Sequence, residues 1–161
     1  MTLHPKFLLL LVILLSTTTF AGESHCKKGE VTYFSCKIKN SEKVVSICGI
    51  DYRDENAWLQ YRYGRLKQPE LVFPTKKQDS LKKFWGESHH SYNGVSYALS
   101  FKNAGFTYTT DFIEADEDFY GVNVFAKNGS ENKLSCEGKP QREFVNGIDF
   151  SSLVQELETE N

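Results

Sequence analysis

Four cysteines, four histidines and 21 acidic side chains are the residues of this 161-residue chain best equipped for chemistry. Catalysis by a cysteine needs a free thiol beside a histidine. Cys26, Cys36, Cys48 and Cys136 are even in number, which in an exported chain reads as two disulfides and leaves no thiol over. Zinc competes for the same residues, but no pair has C-x-x-C spacing and no histidine stands at ligand spacing from one. His89-His90 is a second metal candidate, with His25 or the acidic run Glu114-Ala115-Asp116-Glu117-Asp118. Adjacent histidines in a strand point to opposite sides. The acidic run lacks the glycine and final glutamate of a calcium loop. Both read as solvated loops. No G-x-S-x-G or other nucleophile signature occurs. The chain reads as a non-enzyme, with no cofactor and no metal expected.

Binding chemistry is better represented. Thr75 to Asn93, TKKQDSLKKFWGESHHSYN, sets Lys76, Lys77, Lys82 and Lys83 about Phe84-Trp85 and resists placement on a sheet. Aromatic faces stack on sugars and lysines hold anions, so Lys82, Lys83, Phe84 and Trp85 form a candidate patch for a protein or an envelope glycan. The plainer reading is an edge strand guarded by lysines, with Phe84 and Trp85 buried beneath it. Asn128-Gly129-Ser130 matches a glycosylation acceptor, although a tight turn wants the same residues.

The elements that position these groups are organised around Val31 to Gly49. Two alternating segments there flank a polar turn, and each carries a cysteine. With the turn centred on Asn40-Ser41, Cys36 faces Val45 and Cys48 faces Tyr33, on opposite sheet faces. That register disfavours a Cys36–Cys48 bridge. Of the three connectivities it favours Cys26–Cys48 with Cys36–Cys136, and a one-residue change of turn length would reverse the argument.

Residues 1–21 read as a secretory signal peptide: Lys6, the nine-residue apolar run Phe7 to Leu15, then Thr19-Phe20-Ala21. The run is too short for a membrane anchor, and no later run is longer. Residues 22–161 suit one β domain, exported to the periplasm or secreted. Without Lys6 they carry 18 Lys+Arg against 21 Asp+Glu, which makes nucleic acid a poor partner.

Ala57 to Tyr63 alternates as a strand, and Glu70 to Phe73 is a short one stopped by Pro74. Val95 to Phe101 with Phe106 to Phe112 forms a second hairpin. Gly121 to Ala126 with Lys133 to Cys136 forms a third, around Asn128-Gly129. About eight strands at even spacing predict a mostly β fold, a small antiparallel barrel or sandwich. Phe150, Leu153, Val154 and Leu157 predict a short C-terminal helix on the sheet rim, with Ser152-x-x-Gln155 as its capping box.

FSCKIKNSEKVVSICG, WLQYRYGR, PELVFP and GVSYALSF together resemble a family of uncharacterised exported proteins of Gram-negative bacteria. The order of parts is also similar to the periplasmic inhibitors of c-type lysozyme. In those small exported barrels an early aromatic-x-Cys bridges a late Cys, places held here by Phe34-Ser35-Cys36 and Leu134-Ser135-Cys136. Their Ser-Gly-x-x-Tyr loop, which enters the lysozyme cleft, has Asn93-Gly94-Val95-Ser96-Tyr97 as its counterpart, with Asn in place of Ser. The resemblance implies a non-catalytic binding protein whose contacts are Asn93, Gly94, Tyr97 and Lys102. The acidic side chains Asp111, Glu114, Asp116, Glu117 and Asp118 would steer a basic partner.

Overall fold

The computed structural model describes residues 22–145 and 147–159; the expected signal peptide, residues 1–21, lies outside the described residues. Nine strands form among them, each antiparallel to the next in its sheet. β1 (Val31–Lys37), β2 (Lys43–Gly49), β3 (Leu59–Arg65) and β4 (Gln68–Phe73) make a four-stranded sheet. β5 (Phe84–Ser91), β6 (Gly94–Asn103), β7 (Phe106–Glu114), β8 (Phe119–Ala126) and β9 (Glu131–Ser135) make a five-stranded one. Helix α1 (Phe150–Thr159) follows.

Alternation along each strand turns its apolar side chains to one face, and those faces meet. Tyr61 of β3 contacts Phe101 and Tyr108, while Phe73 of β4 stacks on Phe101 with ring centroids 4.4 Å apart. At one seam, Ser35 pairs with Gln141 and Ile38 with Cys136, so the segment after β9 lines the free edge of β1. No strand pairing joins β4 to β5 among the described residues. The domain is therefore two packed sheets, not a closed barrel.

The cysteines pair as Cys26–Cys48 and Cys36–Cys136. Cys36 lies opposite Val45, but a bulge at Tyr33 puts Cys48 opposite Thr32 instead of Tyr33. The parity argument survives the bulge, because Val45 and Cys48 are an odd number of residues apart on β2. Two disulfides suit an oxidising compartment. No helix among the described residues is long and apolar enough to cross a membrane.

Residues 22–30 lie over the outer face of the four-stranded sheet. His25 Nε2 meets the carbonyls of Val44 and Gly64, and Glu30 receives Arg62 in an ion pair whose side chains are 7% and 8% exposed.

Thr75 to Asn93 follows its plainer reading in part: it contains β5, an edge strand whose inner face reads Phe84, Gly86 and Ser88, but of the two aromatics only Phe84 is buried. The strand lacks apolar alternation because α1 lies on that face and leaves room only for small side chains. The helix is capped one turn earlier than Ser152: the Ser152 amide donates to Asp149 Oδ1 and the Asp149 amide to Ser152 Oγ, each at 2.9 Å. Phe150, Leu153, Val154 and Leu157 are all buried, and Phe150 reaches Phe34 of β1. The helix thus bridges both sheets instead of resting on one rim.

A Cβ on Gly86 would overlap the Val154 carbonyl. Gly86→Ala is expected to lift α1 and cost about 2 kcal/mol, read from the urea midpoint. An unchanged midpoint would contradict this seating of the helix.

Candidate functional site

The β5–β6 hairpin closes at the pair Ser91 and Gly94, so Tyr92 and Asn93 form a two-residue turn. Gly94 has φ +153° and lies against the Glu114 carbonyl and Ala115, where a Cβ has no room. The β7–β8 turn therefore braces the hairpin from beneath. Asn93 Nδ2 also donates to Asp116 Oδ2 at 3.4 Å. With no neighbour of its own, Tyr92 stands fully exposed at the apex (104%).

Ala115, Asp116, Glu117 and Asp118 are exposed beside that apex, and the Ala115 amide donates to Asp118 Oδ1. Tyr120 donates to Glu114 and Asp118. Burial and those two charges push its hydroxyl up to about 12. The turn is a solvated acidic loop, its backbone held by the Asp118 carboxylate.

The structure divides the residues singled out by resemblance. Asn93 and Gly94 sit at the hairpin end, but Tyr97 lies three residues down β6 on the inner face, half-buried with its ring against His90. Lys102 lies at the far end of β6, roughly 26 Å from Gly94 at the usual strand rise. Its ammonium stands 5.7 Å from the centre of the Trp85 ring. Lys102 therefore belongs with the aromatic-basic patch.

That patch is itself divided. Phe84 faces the core and is 3% exposed, whereas Trp85, next along the edge strand, faces outward and is half-buried. Lys82 and Lys83 are exposed on the turn before β5 and, with Trp85 and Lys102, line a cleft of about 440 Å³. His89 and His90 are adjacent on β5 and take opposite faces, His90 packing on Tyr97.

Asp111 is a further correction. Taken from the sequence as a surface acid, it is 8% exposed. It lies on the outer face of the five-stranded sheet, in the cross-strand row Glu87, Ala98, Asp111, Gly121, Ser135. Beside that row runs another: Trp85, Ser100, Thr109, Asn123, Lys133. Ala98, Gly121 and Ser100 keep the rows low, while Trp85, Glu87 and Lys133 stand at three of their four ends. Burial pushes the Asp111 carboxyl up to about 6, against the lowering effect of the Asn123 hydrogen bond.

Sequence reading passes over Tyr92 and over this outer face. The alternation Ser96, Ala98, Ser100, Lys102 against Thr107, Thr109, Asp111 marks a polar face, but only the register aligns its members. Comparison with protein-family models, with curated proteins and with solved structures finds no match to this chain.

Proposed function

We propose that the chain is an exported, non-catalytic binding protein that inserts the Tyr92-Asn93 turn into the cleft of a basic partner, as the lysozyme inhibitors it resembles do. The observation carrying this reading is the fully exposed Tyr92 at a two-residue turn with an acidic turn beside it. A soluble domain has no stabilising use for an aromatic ring held wholly in water. Tyrosine at an interface, by contrast, supplies large contact area for two rotors and is a frequent hot spot. A braced hairpin loses little entropy on docking. Asp116, Glu117 and Asp118 would raise the association rate with a cationic hydrolase.

Cell-wall lysis by c-type, g-type and i-type lysozymes, with added oxidised protein, tests the reading. Dose-dependent protection against one class is expected, weakened at least tenfold by Tyr92→Ala. Joint replacement of Asp116, Glu117 and Asp118 by their amides should slow association and flatten its salt dependence. Failure to protect against every class would remove the proposal.

A further inference from the structure

We propose that a cavity on the outer face of the four-stranded sheet is an anion site, separate from the hairpin, that takes the phosphate group of a small phosphate monoester. Register sets its floor. Gln60 and Arg62 of β3 are buried on that face, and Arg62 lies opposite Val72 of β4. Segment 22–30 is fastened over β1 and β2: Cys26 bonds Cys48, Ser35 donates to the Glu23 carbonyl, and Ser46 accepts from the His25 amide. Between that segment and the β3–β4 turn lies a cavity of about 500 Å³, whose lining includes Lys27, Gln60, Arg62, Lys67, Val72 and Lys77.

No acidic side chain lines this cavity, although residues 22–161 carry more acids than bases. Four cations converge there, Lys27, Arg62, Lys67 and Lys77, and Glu30 answers one charge of the four by pairing with Arg62 and Lys77. Glu70 of β4 is taken by Lys43 at 2.7 Å. Lys27 and Lys67 have no ion pair among the described residues. A cleft walled by one sign of charge focuses its potential on whatever enters.

Arg62 makes this a built site and not a chance meeting of surface lysines. Its two terminal nitrogens are fixed by Glu30, the His25 carbonyl and Gln60 Oε1. The fifth donor, Nε–H, has no acceptor among the described residues and is not closed to solvent. A donor left over on a buried side chain is rare without a use. Lys77 is likewise held, its ammonium 3.5 Å from the centre of the Trp58 ring. Lys67 occupies φ +66°, a backbone region that favours glycine or asparagine, so turn chemistry alone does not ask for a lysine there.

Charge and shape select the ligand. A phosphate monoester brings up to two negative charges and three strong acceptor oxygens, which suit a guanidinium N–H with lysines around it. A monocarboxylate would answer only one of the three uncompensated charges. Val72 and Pro69 give the organic part an apolar wall, and the volume falls in the range of small-molecule sites. The same phosphate could arrive on a free ester or on a lipid headgroup.

Calorimetric and NMR titration of the oxidised protein in about 150 mM NaCl, with glycerol 3-phosphate, glucose 6-phosphate and succinate, tests the site. Co-sedimentation with phosphatidic acid or phosphatidylcholine vesicles distinguishes a lipid source from a free one. At least one phosphate carrier should bind, a free ester with a dissociation constant below about 1 mM, and the Arg62 Nε–H resonance should move. Lys27→Gln combined with Lys67→Asn should weaken binding tenfold or more, with an unchanged urea midpoint reporting retained folding. Lys127→Gln combined with Lys133→Gln removes the same charge from the other sheet and should leave binding unchanged. Tyr92→Ala should also leave it unchanged, which separates this site from the hairpin. No binding of any phosphate carrier at about 10 mM would overturn the proposal. So would equal weakening by the two lysine pairs, or binding of succinate as tight as that of the esters.

Discussion

Replacing Cys36 and Cys136 together by alanine is expected to lower stability by about 4–5 kcal/mol, against about 3 kcal/mol for the Cys26 and Cys48 pair. The difference follows from loop closure. One bridge spans a sequence separation of 100 and the other of 22, and the entropy withheld from the unfolded chain grows with the logarithm of that span. Location acts in the same direction. Cys36 lies on β1 and Cys136 just past β9, so their bond ties the two sheets together at a seam otherwise joined by a few backbone hydrogen bonds. Small domains hold a total of about 5–15 kcal/mol, so the loss is about a third or more of the whole. Urea titration of the two double variants checks the order. Equal losses, or a larger loss for Cys26 and Cys48, would refute the assignment of Cys36–Cys136 as the main staple.

Arg62→Met is expected to cost about 3–5 kcal/mol, because it leaves Glu30 buried without its principal counter-charge. Arg62 donates to Glu30 Oε2 at 2.5 Å and to Oε1 at 3.0 Å, and also to the His25 carbonyl and to Gln60 Oε1. Lys77 Nζ, 3.3 Å from Glu30 Oε1, is more exposed and offsets only part of the loss. Arg62→Met combined with Glu30→Leu should recover most of it, since a buried pair replaced by apolar groups removes the desolvation cost as well as the attraction.

Acid titration reads the same pair. Burial by itself would raise the Glu30 carboxyl, but hydrogen bonds from Arg62, the Lys27 amide and Lys77, with the Arg62 charge, lower it to about 2. Its contribution is complete above the unfolded value near 4.5 and is lost as pH falls towards 2, by about 3 kcal/mol. Asp111 has the opposite sign. Its folded value, about 6, exceeds the unfolded one, so stability falls as pH rises from about 4 to 6. Maximal stability is expected near pH 4–5. Glu30→Gln should shrink the acid limb, to which Asp51, held low by Arg53, also contributes, and Asp111→Asn should flatten the limb above pH 4. A wild-type profile flat from pH 2 to 7 would contradict both assignments.

The hairpins were legible in the sequence because alternation and turn chemistry act over a few residues. The β1–β2, β6–β7 and β8–β9 pairs, the apolar stripe of α1 and the bridge parity all follow from side-chain periods of 2 and 3.6. Strand β5 was legible only as a lysine-guarded edge; what its inner face packs on was not, because Gly86 and Ser88 answer to a helix that arrives more than sixty residues later. Whether the strands close into a barrel depends on which edges bond, and edge pairing joins residues from opposite ends of the chain. Lys102 illustrates the same limit. The resemblance grouped it with Gly94, yet antiparallel pairing set it beside Trp85. Asp111 reads as one more acid of a charged stretch; its burial comes from taller side chains on other strands of the sheet. Local pattern thus determined the strands, the turns and the staples. Register across five strands, which no single segment encodes, decided which polar groups share a face and which ring is left in water.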